Sequence, residues 1–181
     1  DKIVCISNHE LHSAREAGLP ASKLEKISNA VPVVSPTPEP IKFDWKADTV
    51  TILYVGRFDR QKGVDLFLTA MCLLGNGYSA LMVGEAVVDQ SFSINEVPEN
   101  ITMTGWLKAG QLETLYRKAD FIVVPSRWEG FGLVAVEAMR AGCVVIATNV
   151  GGLTDIVAHR SSGLLIEPES PEAIAAAVKS L

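Results

Sequence analysis

The chain has 181 residues, of which 48% are hydrophobic and 20% are charged, and its formal net charge is −5. These proportions are typical of a globular domain and exclude a disordered chain. The negative charge argues against a nucleic-acid partner, because such a partner requires a basic surface. No apolar run approaches the roughly 18–20 residues that a membrane-spanning helix needs.

Three cysteines, Cys5, Cys72 and Cys143, are scattered through the sequence. An odd number of dispersed cysteines, mostly in apolar runs, predicts reduced thiols in the core of a cytoplasmic protein. The first residue is Asp1 rather than methionine, so we expect the chain to be a fragment of a longer protein.

Residues 1–40 predict a short α/β unit followed by a linker. A strand is expected over 2–7 and a helix over 9–19, and a short extended piece comes after them. Four prolines then fall between positions 31 and 40. This proline density is typical of a stiff, extended linker.

From residue 50 onward, apolar strand patterns alternate with helical patterns. The predicted strands cover 50–56, 78–84, 101–105, 121–125, 143–148 and 164–167, and the predicted helices cover 64–74, 110–119, 133–140, 153–160 and 171–181. This alternation predicts an α/β fold with a Rossmann-like, doubly wound parallel sheet. Residues 85–100 have weak periodicity and are expected to form a shortened, loop-like insertion.

Several familiar sites are absent from the sequence. The glycines of residues 75–77 precede a predicted strand instead of following one, so they predict a turn and not a dinucleotide fingerprint. No P-loop is present, and no nucleophile is paired with a base, so hydrolase chemistry has little support. His9 and His12 share a helical face, but without a third ligand nearby, solvated or core histidines are favoured over a metal site.

Two cations follow the strand over 50–56. Gly56 ends that strand, Arg57 comes next, and Lys62 precedes the glycine before the next helix. Arginine can hold two phosphate oxygens at once and lysine acts as a point charge, so the pair suits an anion at a strand's carboxyl end. Taken alone, the pattern fits two solvated loop cations better than an anion site.

The stretch over 124–152 contains a second candidate for anion binding. Gly130 and Gly132 bracket Phe131, and the helix over 133–140 begins immediately afterwards. The first N–H groups of a helix lack intrahelical acceptors and carry partial positive charge, so phosphate is a natural ligand there.

Two acids accompany this helix. Glu129 precedes the glycines and Glu137 lies eight residues later, inside the helix. Glu129 fits either a ligand contact or an acid favoured by the helix dipole. Glu137 fits either a ligand contact or a solubilising surface position, and the residues alone leave both alternatives open.

Together these motifs resemble a known family. EGFGLVAVE resembles the E-x7-E signature of retaining glycosyltransferases with the GT-B fold, in the GT4 (group 1) family, and ILYVGRFDRQKGVD upstream adds a second matching motif. The resemblance implies the C-terminal, donor-binding half of a GT-B fold. Residues 1–40 would then be the end of the N-terminal domain and the interdomain linker. Residues 41–181 would be the nucleotide-sugar-binding domain, truncated at its C-terminal helices.

The resemblance also implies roles for individual residues. It assigns diphosphate binding to Arg57 and Lys62, donor-sugar contacts to Glu129 and ribose contacts to Glu137. It counts Arg57, Lys62 and Glu129 as catalytic. The remaining implied donor contacts are largely backbone groups, at Gly56, Met103, Thr104, Gly105, Gly130, Phe131, Gly132, Leu133 and Val134. Trp106 could stack on a base, although a core position is favoured for it.

The expected function is therefore transfer of a sugar from a nucleotide-diphosphate sugar to an acceptor hydroxyl, without a metal or other cofactor. The acceptor is left open between a glycan, a lipid and a small molecule. We expect the isolated fragment to bind the donor without turnover, because the resemblance places the acceptor site in the missing N-terminal domain. The alternatives are a non-catalytic nucleotide-sugar-binding module or subunit and a GT-B epimerase. A cytoplasmic location is expected, with peripheral attachment to the inner membrane through the missing domain left open.

Overall fold

Six parallel strands form the central sheet of the computed structural model, which describes residues 1–33, 36–45, 48–86 and 97–181. The strands are β3 (Val50–Val55), β4 (Tyr78–Val83), β5 (Ile101–Met103), β6 (Phe121–Val124), β7 (Val144–Thr148) and β8 (Gly163–Ile166). Their order across the sheet is β5-β4-β3-β6-β7-β8. This is the doubly wound order in which the chain reverses direction between its first and fourth strands, so the predicted fold is confirmed.

The helices cover both faces of this sheet. They are α2 (Val64–Leu74), α3 (Ala109–Lys118), α4 (Leu133–Arg140), α5 (Leu153–Ile156) and α6 (Pro171–Lys179). Successive side chains of β3 point to opposite faces, so Ile52 and Tyr54 pack in the layer of α2 and α6, while Leu53 packs in the layer of α3, α4 and α5. All three of these side chains are almost completely buried, which explains the continuous apolar run.

A small unit precedes the sheet. It consists of β1 (Ile3–Cys5), α1 (Asn8–Glu16), a 3-10 turn over Ala21–Lys23 and β2 (Leu24–Lys26), which pairs with β1 in parallel. The N-cap of α1 is Ser7, whose Oγ accepts from the N–H of Glu10 at 3.1 Å. Asn8 donates from its backbone N–H and its side chain to Asp155, at 2.6 and 3.1 Å, which joins this unit to the start of α5.

The linker residues that the structure describes lie against α3 and α4. Glu39 donates its N–H to the carbonyl of Gly110 at 3.0 Å and accepts from the hydroxyl of Thr114 at 2.6 Å. Arg140 donates to the carbonyl of Pro32 at 3.2 Å. The division of the chain at residue 40 stays a prediction.

Two predictions about apolar residues were wrong. Cys5 and Cys143 are buried, and burial raises the pKa of the Cys143 thiol to about 12, but Cys72 is exposed. Cys72 belongs to the apolar run of α2 but lies on the helical face that turns away from the sheet. Trp106 is 54% exposed instead of lying in the core, because it follows the edge strand β5, which pairs only with β4 in the described sheet.

The helix predicted over 153–160 was too long. One helical turn, α5, is present, and Val157 leaves it in an extended conformation. The insertion predicted over 85–100 lies largely outside the described residues. Within the part of the chain that the structure covers, no helix is long and apolar enough to cross a membrane.

Candidate functional site

A crevice opens where β3 and β6 end. From these neighbouring central strands the chain proceeds in opposite directions, toward β4 on one side and β7 on the other. The connections therefore diverge above the carboxyl ends of the two strands, which is where open α/β sheets bind ligands. The residues predicted from both motifs follow these two strands, so the topology places them on the same edge.

Glycines at the starts of two helices shape this crevice. Gly63 and Gly132 are the N-caps of α2 and α4, and both have left-handed backbone conformations, with φ of 65° and 105°. A side chain on Gly63 would overlap the carbonyl group of Pro125, and one on Gly132 would approach Leu153 to 2.7 Å. These two glycines let the α2 loop, the β6–α4 loop and α5 pack closely.

Lys62 and Glu129 meet across the crevice. Lys62 Nζ lies 2.6 Å from Glu129 Oε2, and the hydroxyl of Ser126 donates to the same carboxylate oxygen at 3.3 Å. The Lys62 and Glu129 side chains are 24% and 13% exposed, so the ion pair is shielded but still accessible. An anionic ligand can therefore compete with Glu129 for the ammonium group of Lys62.

A cavity of about 300 Å³ lies against this ion pair. Its size is at the lower end of the range for small-molecule sites, about 300–1,000 Å³. The β6–α4 loop and the start of α4 form much of its wall, and the ends of β3 and β6 form its floor. The lining residues are Ile6, Asn29, Tyr54, Val55, Lys62, Val123, Val124, Pro125, Ser126, Glu129, Gly130, Phe131, Gly132, Leu133 and Val134.

Free backbone donors line the same wall. Among the described residues, no acceptor is found for the N–H groups of Phe131, Gly132, Leu133 and Val134. These four groups are at the start of α4, where the helix dipole adds partial positive charge. The cavity thus combines an ammonium group, unpaired N–H donors and one carboxylate, which suits an anion that also carries hydroxyl groups.

Arg57 does not line this cavity. Its guanidinium donates to Gln61 Oε1 at 2.8 Å and lies 3.1 Å from a carboxylate oxygen of Asp59, and its side chain is 47% exposed. The carbonyl of Arg57 instead accepts from the buried hydroxyl of Tyr54 at 2.9 Å. Burial, together with the nearby charge of Asp59, raises the pKa of Tyr54, so its hydroxyl stays protonated and keeps this bond.

Glu137 lies one turn beyond the cavity wall. It follows Leu133 by four positions and Val134 by three, so it shares their face of α4. The Tyr116 hydroxyl donates to Glu137 Oε2 at 3.1 Å, and burial followed by the charge of Glu137 raises the pKa of Tyr116. Glu137 is therefore a half-buried carboxylate held by a tyrosine, with its second oxygen left for another donor.

The predicted base contacts lie at the far end of the sheet edge. Met103 ends β5, Thr104 donates its N–H to the carbonyl of Met82 at 3.0 Å, and Gly105 accepts from Gly84 at 3.1 Å. Two strand spacings, each about 4.8 Å, separate β5 from β3. These residues are therefore on the same edge as Gly56 and Lys62, but they are not brought into the cavity.

Arg127 is a residue that sequence reasoning missed. Its guanidinium forms two bonds of 2.7 Å to the carboxylate of Asp65 and bonds of 2.8 and 2.9 Å to Glu169. Its backbone N–H also donates to the carbonyl of Gln61 at 2.8 Å. Arg127 thereby connects the β6–α4 loop to α2 and to the turn before α6.

Other missed residues line the cavity. Ser126 directly follows the predicted strand and precedes Glu129 by three positions, which was an available signal. Tyr54 and Asn29 gave no signal, because Tyr54 is in an ordinary apolar strand and Asn29 is about 100 positions before Glu129 in the chain.

The family model for glycosyl transferases group 1 matches residues 37–181. The chain is also 38% identical, over 141 residues, to a D-inositol 3-phosphate glycosyltransferase of Segniliparus rotundus; the match covers 72% of this chain and 31% of that protein. The chain spans about a third to a half of the length of the curated relatives that it matches.

Solved structures show the same fold. The sucrose-phosphate synthase of Thermosynechococcus elongatus superposes with a TM-score of 0.84 at 30% identity, covering 99% of this chain and 48% of that one. The Anabaena protein HepE, crystallised in complex with UDP-glucose, superposes with a TM-score of 0.83 at 20% identity, covering 99% and 53%. At that identity the HepE likeness shows the fold alone.

Proposed function

The chain belongs to the family of group 1 glycosyl transferases, and from this premise we propose that it is the donor-binding half of a retaining, GT4-type glycosyltransferase. Its donor is a nucleotide-diphosphate sugar. The observation that carries this proposal is the 2.6 Å contact between Lys62 and Glu129 on the wall of the cavity that the start of α4 also lines.

Each part of the donor binds to the cavity groups that complement its charge. The diphosphate accepts hydrogen bonds from the ammonium group of Lys62 and from the free N–H groups of residues 131–134, because these are the positive groups of the cavity. Glu129 accepts hydrogen bonds from hydroxyls of the donor sugar, and Glu137 accepts them from the ribose, since a carboxylate suits two neighbouring hydroxyls. The base lies toward Met103, Thr104 and Gly105.

The transfer step moves one sugar between two oxygens. The acceptor hydroxyl oxygen forms a bond to the anomeric carbon, and the bond from that carbon to the diphosphate breaks with its electron pair leaving on the diphosphate. The hydroxyl proton passes to a leaving phosphate oxygen. Lys62 and the α4 N–H groups stabilise the charge that develops there, and removing one such donor typically costs about 3 kcal/mol of transition-state stabilisation.

Arg57 has a smaller role in this proposal. In the free chain its guanidinium is held by Asp59 and Gln61, so it must give up a partner before it reaches a phosphate. We therefore expect Arg57 to contribute less to donor affinity than Lys62.

Calorimetry with the free chain tests donor binding. We expect saturable binding of one nucleoside diphosphate among UDP, GDP and ADP, and of its sugar conjugate. Lys62→Ala should weaken this binding about tenfold to a hundredfold, the usual cost of losing a charge-assisted hydrogen bond. Lys179→Ala, on the distant helix α6, is the matched control and should leave the affinity unchanged. Absence of binding by all three nucleotides, or full affinity in Lys62→Ala, would refute the proposal.

In this proposal, sugar transfer requires a longer protein that also contains the acceptor half. The isolated chain should bind the donor without transferring sugar, because the acceptor half is expected in the rest of the protein. Nuclear magnetic resonance of the product made by a longer protein decides the stereochemistry. An inverted anomeric configuration would overturn the retaining assignment while leaving donor binding intact.

A further inference from the structure

The loop that carries Lys62 contains a carboxylate that binds the backbone of this lysine. Asp59 lies three positions before Lys62, and its Oδ1 accepts the backbone N–H of Lys62 at 2.8 Å. A carboxylate that accepts from the N–H three positions later fixes the intervening turn, as an N-cap fixes the start of a helix. The Asp59 side chain is only 17% exposed, so water competes little for this bond.

The rest of the loop is held from below and behind. The buried hydroxyl of Tyr54 donates to the carbonyls of Arg57 at 2.9 Å and Lys62 at 3.3 Å. Gly63 donates its N–H to the carbonyl of Arg60 at 3.2 Å and has a left-handed backbone. Both peptide groups of Lys62 therefore have partners, and the partner of its N–H is the Asp59 carboxylate.

A fixed backbone matters here because the lysine side chain is long and flexible. Its stem passes over the end of β3, where a Cβ added to Gly56 would lie 3.7 Å from Lys62 Cγ. Its ammonium group ends 2.6 Å from Glu129, on the wall of the donor cavity. A stem that begins at a fixed point loses less conformational freedom when the ammonium group binds a phosphate.

The second oxygen of Asp59 holds the other cation of the loop. Asp59 Oδ2 lies 3.1 Å from a guanidinium nitrogen of Arg57. One carboxylate therefore holds Lys62 by its backbone, which leaves the ammonium group free to reach the cavity, and holds Arg57 by its side chain, which keeps the guanidinium outside. Asp59 itself is not part of the cavity lining, so it reaches a ligand there through these two residues.

We propose that Asp59 is a positioning residue for the diphosphate of the donor, because the bond from the Lys62 N–H to its Oδ1 sets where the lysine side chain begins. The inference rests on the proposed function, since it identifies what places Lys62 in that site. The negative charge of Asp59 opposes binding of a diphosphate, whereas its Oδ1 favours binding. These two contributions have opposite signs and are separable by substitution.

Two substitutions of Asp59 separate them. Asp59→Asn and Asp59→Ala both remove the charge, but only asparagine keeps an oxygen that can accept the Lys62 N–H. Calorimetry uses UDP, GDP or ADP, whichever the native chain binds, and inorganic pyrophosphate. We expect Asp59→Asn to bind both ligands at least as tightly as the native chain. Asp59→Ala should bind both about threefold to tenfold more weakly than Asp59→Asn, the usual range for one hydrogen bond.

Asp120→Ala is the matched control. Asp120 Oδ2 accepts the backbone N–H of Thr51 at 2.8 Å, near the start of β3 and therefore at the opposite edge of the sheet from the cavity. This variant loses the same kind of bond as Asp59→Ala. It should lower the free energy of unfolding, measured with urea, and leave nucleotide affinity unchanged.

A double-mutant cycle with Lys62→Ala tests whether Asp59 acts through the lysine. In the Lys62→Ala background, Asp59→Ala and Asp59→Asn should bind the nucleotide equally, within about twofold. The inference is refuted if the two Asp59 variants bind equally when Lys62 is present, if their ratio persists without it, or if Asp120→Ala weakens binding as much as Asp59→Ala.

The same titrations separate this inference from the proposed function. If the native chain binds none of the three nucleotides, the donor site is refuted and the role of Asp59 is refuted with it. If the native chain binds one of them and the two Asp59 variants bind it equally, only the role of Asp59 is refuted.

Discussion

Two acid–base clusters of this molecule look alike in composition but differ in their surroundings. Glu129 meets Lys62 and Ser126 beside an open cavity. Glu113 meets Arg117 and Arg140, at 2.8 Å each, and its side chain is completely buried. We call these the crevice cluster (Lys62, Ser126, Glu129) and the linker cluster (Glu113, Arg117, Arg140).

The two clusters differ in whether a ligand can replace one of the partners of the glutamate. In the linker cluster each carboxylate oxygen of Glu113 has its own arginine, and Arg140 continues to the linker carbonyl of Pro32. In the crevice cluster one oxygen of Glu129 takes both partners, and Lys62 faces a space that a ligand can fill. Both carboxylate oxygens of Glu113 are held by buried or partly buried arginines, so this cluster belongs to the fold, whereas a cluster on a cavity wall can exchange a partner for a ligand.

The largest expected effect is a loss of folding stability when the acid of the linker cluster is removed. Glu113→Ala leaves the guanidinium of Arg140 mostly buried without its carboxylate, and Arg140 Nε already has no partner among the described residues. We expect a loss of about 3–5 kcal/mol in the free energy of unfolding, measured with urea. Glu16→Ala is the control, because its pair with His12 is exposed and should contribute below about 0.5 kcal/mol. A loss below about 1 kcal/mol for Glu113→Ala would show that the linker cluster does not stabilise the fold and would contradict this comparison.

The next effect concerns Arg127, whose guanidinium holds two acids in a fixed geometry. Arg127→Lys keeps the charge but cannot form the paired bonds to Asp65, so we expect a loss of about 1–3 kcal/mol in the free energy of unfolding. Because this residue also positions the β6–α4 loop, nucleotide affinity should fall with it. Unchanged nucleotide affinity in a destabilised variant would show that the β6–α4 loop keeps its position without the paired bonds between Arg127 and Asp65.

The pH dependence of stability tests the same contact. Partial burial alone would raise the pKa of Asp65, but the hydrogen bonds and the charge of Arg127 outweigh burial and hold that pKa below its ordinary value. A lowered pKa stabilises the fold above the unfolded value of about 3.9, and this stabilisation is lost as pH falls through the folded pKa. The stability difference between the native chain and Asp65→Asn should therefore be constant near neutral pH and narrow below about pH 4. A difference that stays constant down to pH 2 would contradict the assignment.

The architecture was predictable because it depends on local pattern. Helices α2 and α4 begin and end where the sequence predicts, since Gly63 and Gly132 precede them and the buried positions repeat at helical spacing. The central strands β3, β4, β6 and β7 were predictable because both faces of the sheet are covered there, so each is a largely apolar run. The edge strand β5 is shorter than predicted, ending at Met103 instead of Gly105, and is mostly exposed.

The contacts of the site were less predictable because they join distant segments. Arg127 reaches Asp65, 62 positions earlier, and Glu169, 42 positions later, and nothing in the local sequence marks these partners. For Arg57 the partners are close in sequence, since Asp59 and Gln61 lie within four positions. The guanidinium that the sequence pattern predicted to bind a phosphate is bonded to these two neighbours instead.

A smaller effect tests whether the crevice cluster exchanges partners. Glu129→Gln removes the anion that holds Lys62 in the free chain and that repels a phosphate. We expect affinity for UDP without a sugar to rise about twofold to fivefold in calorimetry, and the added affinity of the sugar conjugate to fall. Weaker binding of UDP itself would show that Glu129 positions Lys62 for the phosphate instead of competing with it.

The smallest expected effect extends the comparison to Glu137, which has one tyrosine partner and an unused oxygen. Tyr116→Phe removes the 3.1 Å bond that holds this carboxylate. If Glu137 binds the ribose, affinity for UDP should fall about twofold to threefold, because a looser carboxylate must be ordered on binding, while affinity for pyrophosphate should stay the same. Equal losses for UDP and pyrophosphate would mean that Tyr116 supports the start of α4, and the resemblance-based role of Glu137 would then lose its support.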